Sequence, residues 1–206
     1  MMQQSFFLGE DQRIFRESLQ GWLDEHWSLL ERRRLAVDDP GYSREAWAGL
    51  AEMGALGAFL PERVGGAGGG GLELMVAMEA FGRALFASPY LWTVALAGPL
   101  LGAAGGAGDE LLGKIATGKA IVSVALTEHR SRYDLHHVET RAERKGAGYA
   151  ISGVKTAVPY AAAAEYVVVP ARISGQARDA DGISLFLVPA GSKGLTLDSY
   201  ATADGG

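Results

Sequence analysis

The hydrophobic pattern of this chain changes period once, near Gly118-Lys119, and that change limits what the chain can fold into. Before it, apolar residues recur at helical spacing. After it, short β-branched segments alternate with turn residues. Strands at regular spacing with no helices between them predict an antiparallel β-domain, a barrel or a sandwich. The expected fold is therefore α+β: an all-helical N-terminal domain over residues 1–118, followed by an antiparallel β-barrel-like domain over 119–206. A chain of 206 residues is long enough for one large or two small cores.

The helical half divides at its caps and breakers. Gly9 to Leu30 carries Ile14, Leu19, Trp22 and Leu23 on one broad face. Glu31–Arg34 reads as a solvated helix end and Asp39-Pro40-Gly41 as a turn. Ser43 is placed to cap a second helix that buries Trp47, Leu50 and Ala51 and stops at Met53-Gly54. A third helix spans Leu72 to Phe86, with Leu74, Val76, Ala77, Phe81 and Leu85 for the core. Ser88-Pro89 starts a fourth, and Asp109 is expected to cap a fifth over Glu110–Thr117, closed by Gly118.

Two stretches need separate treatment. Leu91 to Gly108 has no charged residue, but it is rich in Ala and Gly, contains Pro99 and lacks basic flanks. It predicts helices packed closely against each other or against a partner subunit, and not a membrane span. Gly66-x-Gly68-x-x-Gly71 matches the dinucleotide-binding spacing, yet no buried strand precedes it and no βαβ unit follows. A flexible hinge is the expected reading, with a phosphate cradle as the alternative.

Composition removes whole classes of function. A net charge of −5 leaves no basic footprint for nucleic acid. The absence of cysteine excludes disulfides, iron–sulfur ligation and thiol catalysis, and suits a cytoplasmic location. The segment Met1–Arg13 has neither the basic nor the apolar region of a secretory signal. No metal site is expected, because the adjacent His136 and His137 would point to opposite faces of a strand. Glu128-His129 could form an acid–base pair, although neighbours in sequence rarely face each other.

The candidate site is Ile121–Asp134, an apolar run that ends abruptly in Thr127-Glu128 and a loop carrying His129, Arg130, Arg132 and Tyr133. A buried strand ending in polar groups presents them at a pocket mouth; an ordinary core strand and surface loop is the plainer reading.

A set of stretches in fixed order then resembles the N-terminal and middle domains of the acyl-CoA dehydrogenases. They are Trp47 through Gly57, Leu60-Pro61-Glu62-Arg63-Val64-Gly65-Gly66, Glu79 through Leu85, Ser88-Pro89-Tyr90, Ala125-Leu126-Thr127-Glu128, Gly153-Val154-Lys155 and Lys193 through Leu197. The resemblance is to divergent bacterial members, of the heteromeric and steroid-degrading kind. It implies an FAD-dependent oxidoreductase that takes a proton and a hydride from an acyl-CoA thioester and hands electrons to an electron-transferring flavoprotein. It further implies a homo- or hetero-oligomer, a dimer or tetramer, acting in lipid metabolism.

By the same resemblance Ala125, Leu126 and Thr127 would meet the polar edge of FAD. Ala157, Val158 and Pro159 would pass close to its ring system, and Tyr133 would contact cofactor or acyl-CoA. The family pattern TEPxAGSD stands here as Thr127-Glu128-His129-Arg130-Ser131-Arg132-Tyr133-Asp134. The pattern GxKxWI(T/S)N stands as Gly153-Val154-Lys155-Thr156-Ala157-Val158-Pro159-Tyr160. Both patterns are altered, and Pro159 has no amide to offer. Arg130 and Arg132 could instead meet a phosphate. The resemblance places the catalytic glutamate in a C-terminal helical domain outside these residues, with the middle domain incomplete at its C-terminal end. No catalytic residue is assigned here. A non-catalytic partner subunit of a heteromeric dehydrogenase, with weakened FAD binding, is the second expectation.

Overall fold

The computed structural model describes residues 8–35 and 41–200, so Asp39 and Pro40 of the expected turn and the segments 1–7 and 201–206 lie outside the described residues. The described residues form two compact units, one of residues 8–35 and 41–120 with 199 and 200, the other of residues 121–198.

In the first unit α1 spans Glu10–His26, α2 Leu29–Leu35, α3 Arg44–Glu52, α4 Gly71–Ala84, α5 Gly98–Ala103 and α6 Gly106–Ala116. The Ser43 hydroxyl accepts the Ala46 amide at 3.0 Å, the cap its position predicts. The core gathers Leu19 and Leu23 of α1, Trp47 and Leu50 of α3, and Val76, Ala77 and Phe81 of α4.

Three expectations shift here. Ile14 is exposed, because five residues from Leu19 is about 140° around an α-helix and off the buried stripe. Leu85 is exposed because it ends α4 in the left-handed region at φ 49°. Finally, α6 begins at Gly106, so Asp109 sits inside its first turn and pairs with Arg63 at 3.1 Å instead of capping.

The uncharged stretch winds as a π-helix over Leu91–Ala97 and passes directly into α5. The Gly98 amide reaches back five residues to Thr93, immediately before Pro99, which has no amide for the ladder. Small residues here do permit close approach. A Cβ on Gly98 would sit 2.9 Å from Leu60, and one on Gly108 would strike the Leu101 carbonyl. No helix among the described residues is long and apolar enough to cross a membrane.

The glycine-rich segment is not a hinge. Its amides are donated inward one after another: Gly66 to Pro61, Ala67 to Gly57, Gly68 to Leu60, Gly69 to Ala58, and Gly70 to the Glu73 carboxylate at 2.6 Å. A side chain on Gly66 or Gly69 would collide with the backbone carbonyl of Leu60 or Ala58. The glycines let one strip of backbone lie flush on another. With those amides taken, the phosphate-cradle alternative loses the loop donors of residues 66–70.

The second unit is one five-stranded sheet, with β1 Val122–Val124, β2 Arg141–Lys145, β3 Gly148–Ser152, β4 Tyr166–Arg172 and β5 Ile183–Pro189. The β2–β3 hairpin turns through Gly146-Ala147, with Lys145 opposite Gly148. The sheet is mixed, where an antiparallel one was expected. Strand β5 pairs antiparallel with all of β4, while β1 and β2 run parallel to it. The long excursion from β1 through the hairpin supplies the crossover that parallel pairing needs.

Pro170 is tolerated inside this central strand for a local reason. The Val168 carbonyl accepts from Ala125 and the Arg172 amide donates to Thr140. By two-residue alternation the Pro170 nitrogen faces the same side, in the gap between the β1 and β2 pairings, where no amide is called for.

Candidate functional site

Strand β1 is buried throughout, and its exit delivers the candidate residues. Ala125 is buried and its amide donates to the Val168 carbonyl at 2.9 Å, extending the ladder one residue. Leu126 and Thr127 are half-buried. The Thr127 carbonyl accepts the Thr156 amide at 2.8 Å, which brings the segment 156–159 alongside the strand exit. Val158 packs on the cluster of Ala125, Val167 and Val169, and the Pro159 carbonyl accepts the Ser123 hydroxyl at 2.7 Å. Six of the seven expected cofactor residues therefore share one edge of the second unit.

Tyr133 does not join them through any bond. It stands fully exposed in the turn after Glu128 and makes no hydrogen bond or ring contact among the described residues. Arg130 and Arg132 are likewise exposed there.

The donors at this edge suit a polar ligand. Among the described residues the amides of Leu126, Thr127 and Val158 and the Thr127 hydroxyl have no hydrogen-bond partner, although these residues are half-buried. Half-buried donors of this kind fit a group rich in carbonyl and ring-nitrogen acceptors, as FAD is. At Pro159 the fit is poorer, since no amide exists there.

The backbone of the altered patterns keeps an unusual shape. Arg132 stands at the glycine position of TEPxAGSD with φ 49°, and Tyr160 stands at the asparagine position of GxKxWI(T/S)N with φ 56°. Ala157, at the tryptophan position, has φ 50°. Glycine and asparagine enter this left-handed region readily; arginine, alanine and tyrosine do so at a cost. At Arg132 and Tyr160 the left-handed backbone is adopted without the glycine or asparagine that would favour it.

Beneath the edge lies an ion pair that the residue pattern did not reveal. The Glu128 carboxylate is buried and accepts Lys155 Nζ at 2.7 Å, the Thr140 hydroxyl at 2.6 Å, the Thr140 amide at 3.1 Å and the Glu139 amide at 2.6 Å. Burial works to raise its proton affinity, but the bonds from Lys155, Thr140 and the two amides outweigh it and hold the carboxyl below the usual glutamate value. Burial lowers the Lys155 ammonium, and its bond and attraction to Glu128 offset this only in part. An acid–base pair of Glu128 with His129 is ruled out: both carboxylate oxygens are occupied and His129 is exposed.

Arg172 was also missed, because an arginine ending a strand ordinarily reads as solvated. It is 1% exposed, and its guanidinium donates to the carbonyls of His136, Val138, Ala177, Asp179 and Asp181 at 2.7–2.9 Å. It gathers the loop before β2 and the loop before β5 onto one point. His136 is exposed in a turn and His137 is buried just after it, so neither stands in the strand expected for them.

Comparison with known proteins identifies the scaffold. Residues 9–119 match the model of the acyl-CoA dehydrogenase N-terminal domain, and residues 123–205 match that of the acyl-CoA dehydrogenase middle domain. Acyl-CoA dehydrogenase FadE27 of Mycobacterium tuberculosis is 32% identical over 83% of this chain, covering 43% of its own length. The mouse mitochondrial long-chain specific acyl-CoA dehydrogenase is 30% identical over 88% of this chain and 43% of its own. Among solved structures, the ChsE4-ChsE5 complex from Mycobacterium tuberculosis aligns with a TM-score of 0.82 and 30% identity, over 96% of this chain and 52% of that one. The Tcur3481-Tcur3483 steroid ACAD, as a variant, aligns with a TM-score of 0.84 and 29% identity over 95% and 52%. The chain spans about half the length of the curated relatives it matches. Taken with the site geometry, the two matched domains place this chain in the acyl-CoA dehydrogenase family.

Proposed function

We propose that the chain is the N-terminal and middle portion of an FAD-dependent acyl-CoA dehydrogenase, and that FAD lies along the edge formed by Ala125-Leu126-Thr127 and Ala157-Val158-Pro159. The observation that carries this reading is the set of half-buried, unpartnered donors at Leu126, Thr127 and Val158 on adjoining segments. When bound, FAD would supply the hydride acceptor for α,β-desaturation of the thioester. The protein's part is to bind and orient. The Leu126 and Thr127 amides and the Thr127 hydroxyl would hold acceptor atoms of the cofactor. Val158, seated on the Ala125–Val167–Val169 cluster, would give its ring system an apolar floor. Arg130, Arg132 and Tyr133 would meet the phosphate-bearing end of an acyl-CoA from the exposed turn. Oligomer formation, electron transfer to an electron-transferring flavoprotein and a cytoplasmic location belong to the same proposal.

A second reading has a specific observation behind it. Pro159 has no donor where the family pattern has a hydroxyl residue, and Ala157 stands in place of tryptophan. Two relatives by structure, ChsE4-ChsE5 and Tcur3481-Tcur3483, are named as pairs of chains. A partner subunit with weakened FAD binding would keep the scaffold and lose the contacts. Adding FAD to the purified chain and recording the visible spectrum tests the first reading, which expects a shifted, saturable flavin band. Co-expression with a homologous subunit separates the two: activity that arises only in the mixture favours the partner, and unchanged flavin absorbance throughout contradicts FAD binding by this chain.

A further inference from the structure

The ion pair beneath the edge joins the two altered patterns. Glu128 follows directly on Thr127, and Lys155 directly precedes Thr156, whose amide bonds the Thr127 carbonyl. The two charged side chains are 4% and 9% exposed. The approach of the second segment is prepared by Gly153, whose backbone lies flush against Thr140: a Cβ there would stand 2.7 Å from Thr140 Cα and strike its hydroxyl. Thr140 in turn gives its amide and hydroxyl to Glu128. Glycine, lysine and glutamate thus form one device, in which Gly153 permits the approach, Lys155 reaches across and Glu128 receives it.

We propose that Glu128 and Lys155 are positioning residues. Their buried pair clamps the strand exit 126–127 against the segment 156–158, and so sets the spacing of the free amides of Leu126, Thr127 and Val158. The proposal rests on the reading of that edge as the FAD site. A tie made only for stability needs no buried charges, since desolvation consumes most of what the attraction returns; a fixed register is the better-attested use of such a pair. The segment needs fixing, because Ala157 and Tyr160 occupy the left-handed region and such conformations persist only where the surroundings over-determine them. The clamp anchors its start, and the Ser123–Pro159 bond anchors its end.

The variants are Lys155→Met, Glu128→Gln, their combination, and Lys155→Arg. The first readout is amide hydrogen exchange in the chain without flavin. Thr156 exchange should rise about tenfold or more beyond any rise at β4 amides such as Val169 in the two single variants, with Lys155→Arg recovering part of it. The second is FAD affinity, which should fall about tenfold in each single variant and no further in the double. The clamp is overturned if Thr156 exchange moves only in step with β4, or if Thr156 loosens while FAD affinity stays at the wild-type value. If the wild-type chain binds no FAD, the functional reading fails, and the exchange readout alone decides the clamp. Glu128→Gln retains the size and polarity of the carboxylate and keeps the test open should Lys155→Met fail to fold.

Discussion

The Glu128 amide donates to the Ser131 hydroxyl at 2.9 Å, and that hydroxyl donates to the Glu128 carbonyl at 3.0 Å. One serine thereby closes a turn from which the pattern's proline and glycine are gone. The following residue, Arg132, carries the strain at φ 49°. Replacing Arg132 by Gly should stabilise the chain by about 1 kcal/mol, the left-handed cost relieved less the extra freedom given to the unfolded state. Urea unfolding checks this, and an unchanged or lowered midpoint would speak against strain at this position.

Arg172 holds five carbonyls without a carboxylate among them. Arg172→Met should cost about 3 kcal/mol or more, because it leaves several buried acceptors unpaired at once. Arg172→Lys should recover little, since an ammonium has three donors and no planar fork. Denaturation midpoints of the two variants decide it; a lysine variant as stable as wild type would refute the need for the fork.

The pinned glycine segment makes a paired prediction. Gly66→Ala puts a methyl into the Leu60 carbonyl and should destabilise by about 2–4 kcal/mol. Gly71→Ala meets open space at the start of α4 and should stabilise by about 0.5–1 kcal/mol. Equal effects from the two in thermal or urea unfolding would return the segment to the status of a loose hinge.

Much of this architecture was legible in the residues, and the failures have physical causes. The Ser43 cap and the Gly118 stop rest on local chemistry. At Gly118, φ is 69° and the amides of Gly118 and Lys119 return to Ile115 and Lys114. Those features depend on a few neighbouring residues, so sequence suffices. Parallel pairing of β1 with β4 does not, since Val122 and Tyr166 meet only through the tertiary fold. Glu128 and Lys155 are 27 positions apart, and each alone reads as a surface charge. The glycine run differs from expectation for the converse reason: permissive backbone reads as motion, whereas here it serves contact. At the site itself, the resemblance located the edge, and the structure supplied the free donors and the clamp.

The clamp also has an acid limit. Because the Glu128 carboxyl lies below its ordinary value of 4.5, the folded state takes up that proton less readily than the unfolded chain. The Glu128 contribution is therefore present above pH 4.5, as long as Lys155 stays protonated, and is lost as the pH falls through the lower, folded value. Urea unfolding across the acid range should show wild type losing stability more steeply than Glu128→Gln. Parallel curves would mean that Glu128 is not ionised and paired as described.

Binding of FAD to this edge is the central claim, and a titration of the purified chain with FAD, followed by flavin fluorescence, tests it most directly. Wild type should bind saturably. Pro159→Thr, which restores a donor without disturbing the carbonyl held by Ser123, should bind more tightly by about 1–3 kcal/mol, or roughly 5- to 150-fold. Thr127→Val should lose a comparable factor. Absence of saturable binding by both wild type and Pro159→Thr would contradict the account.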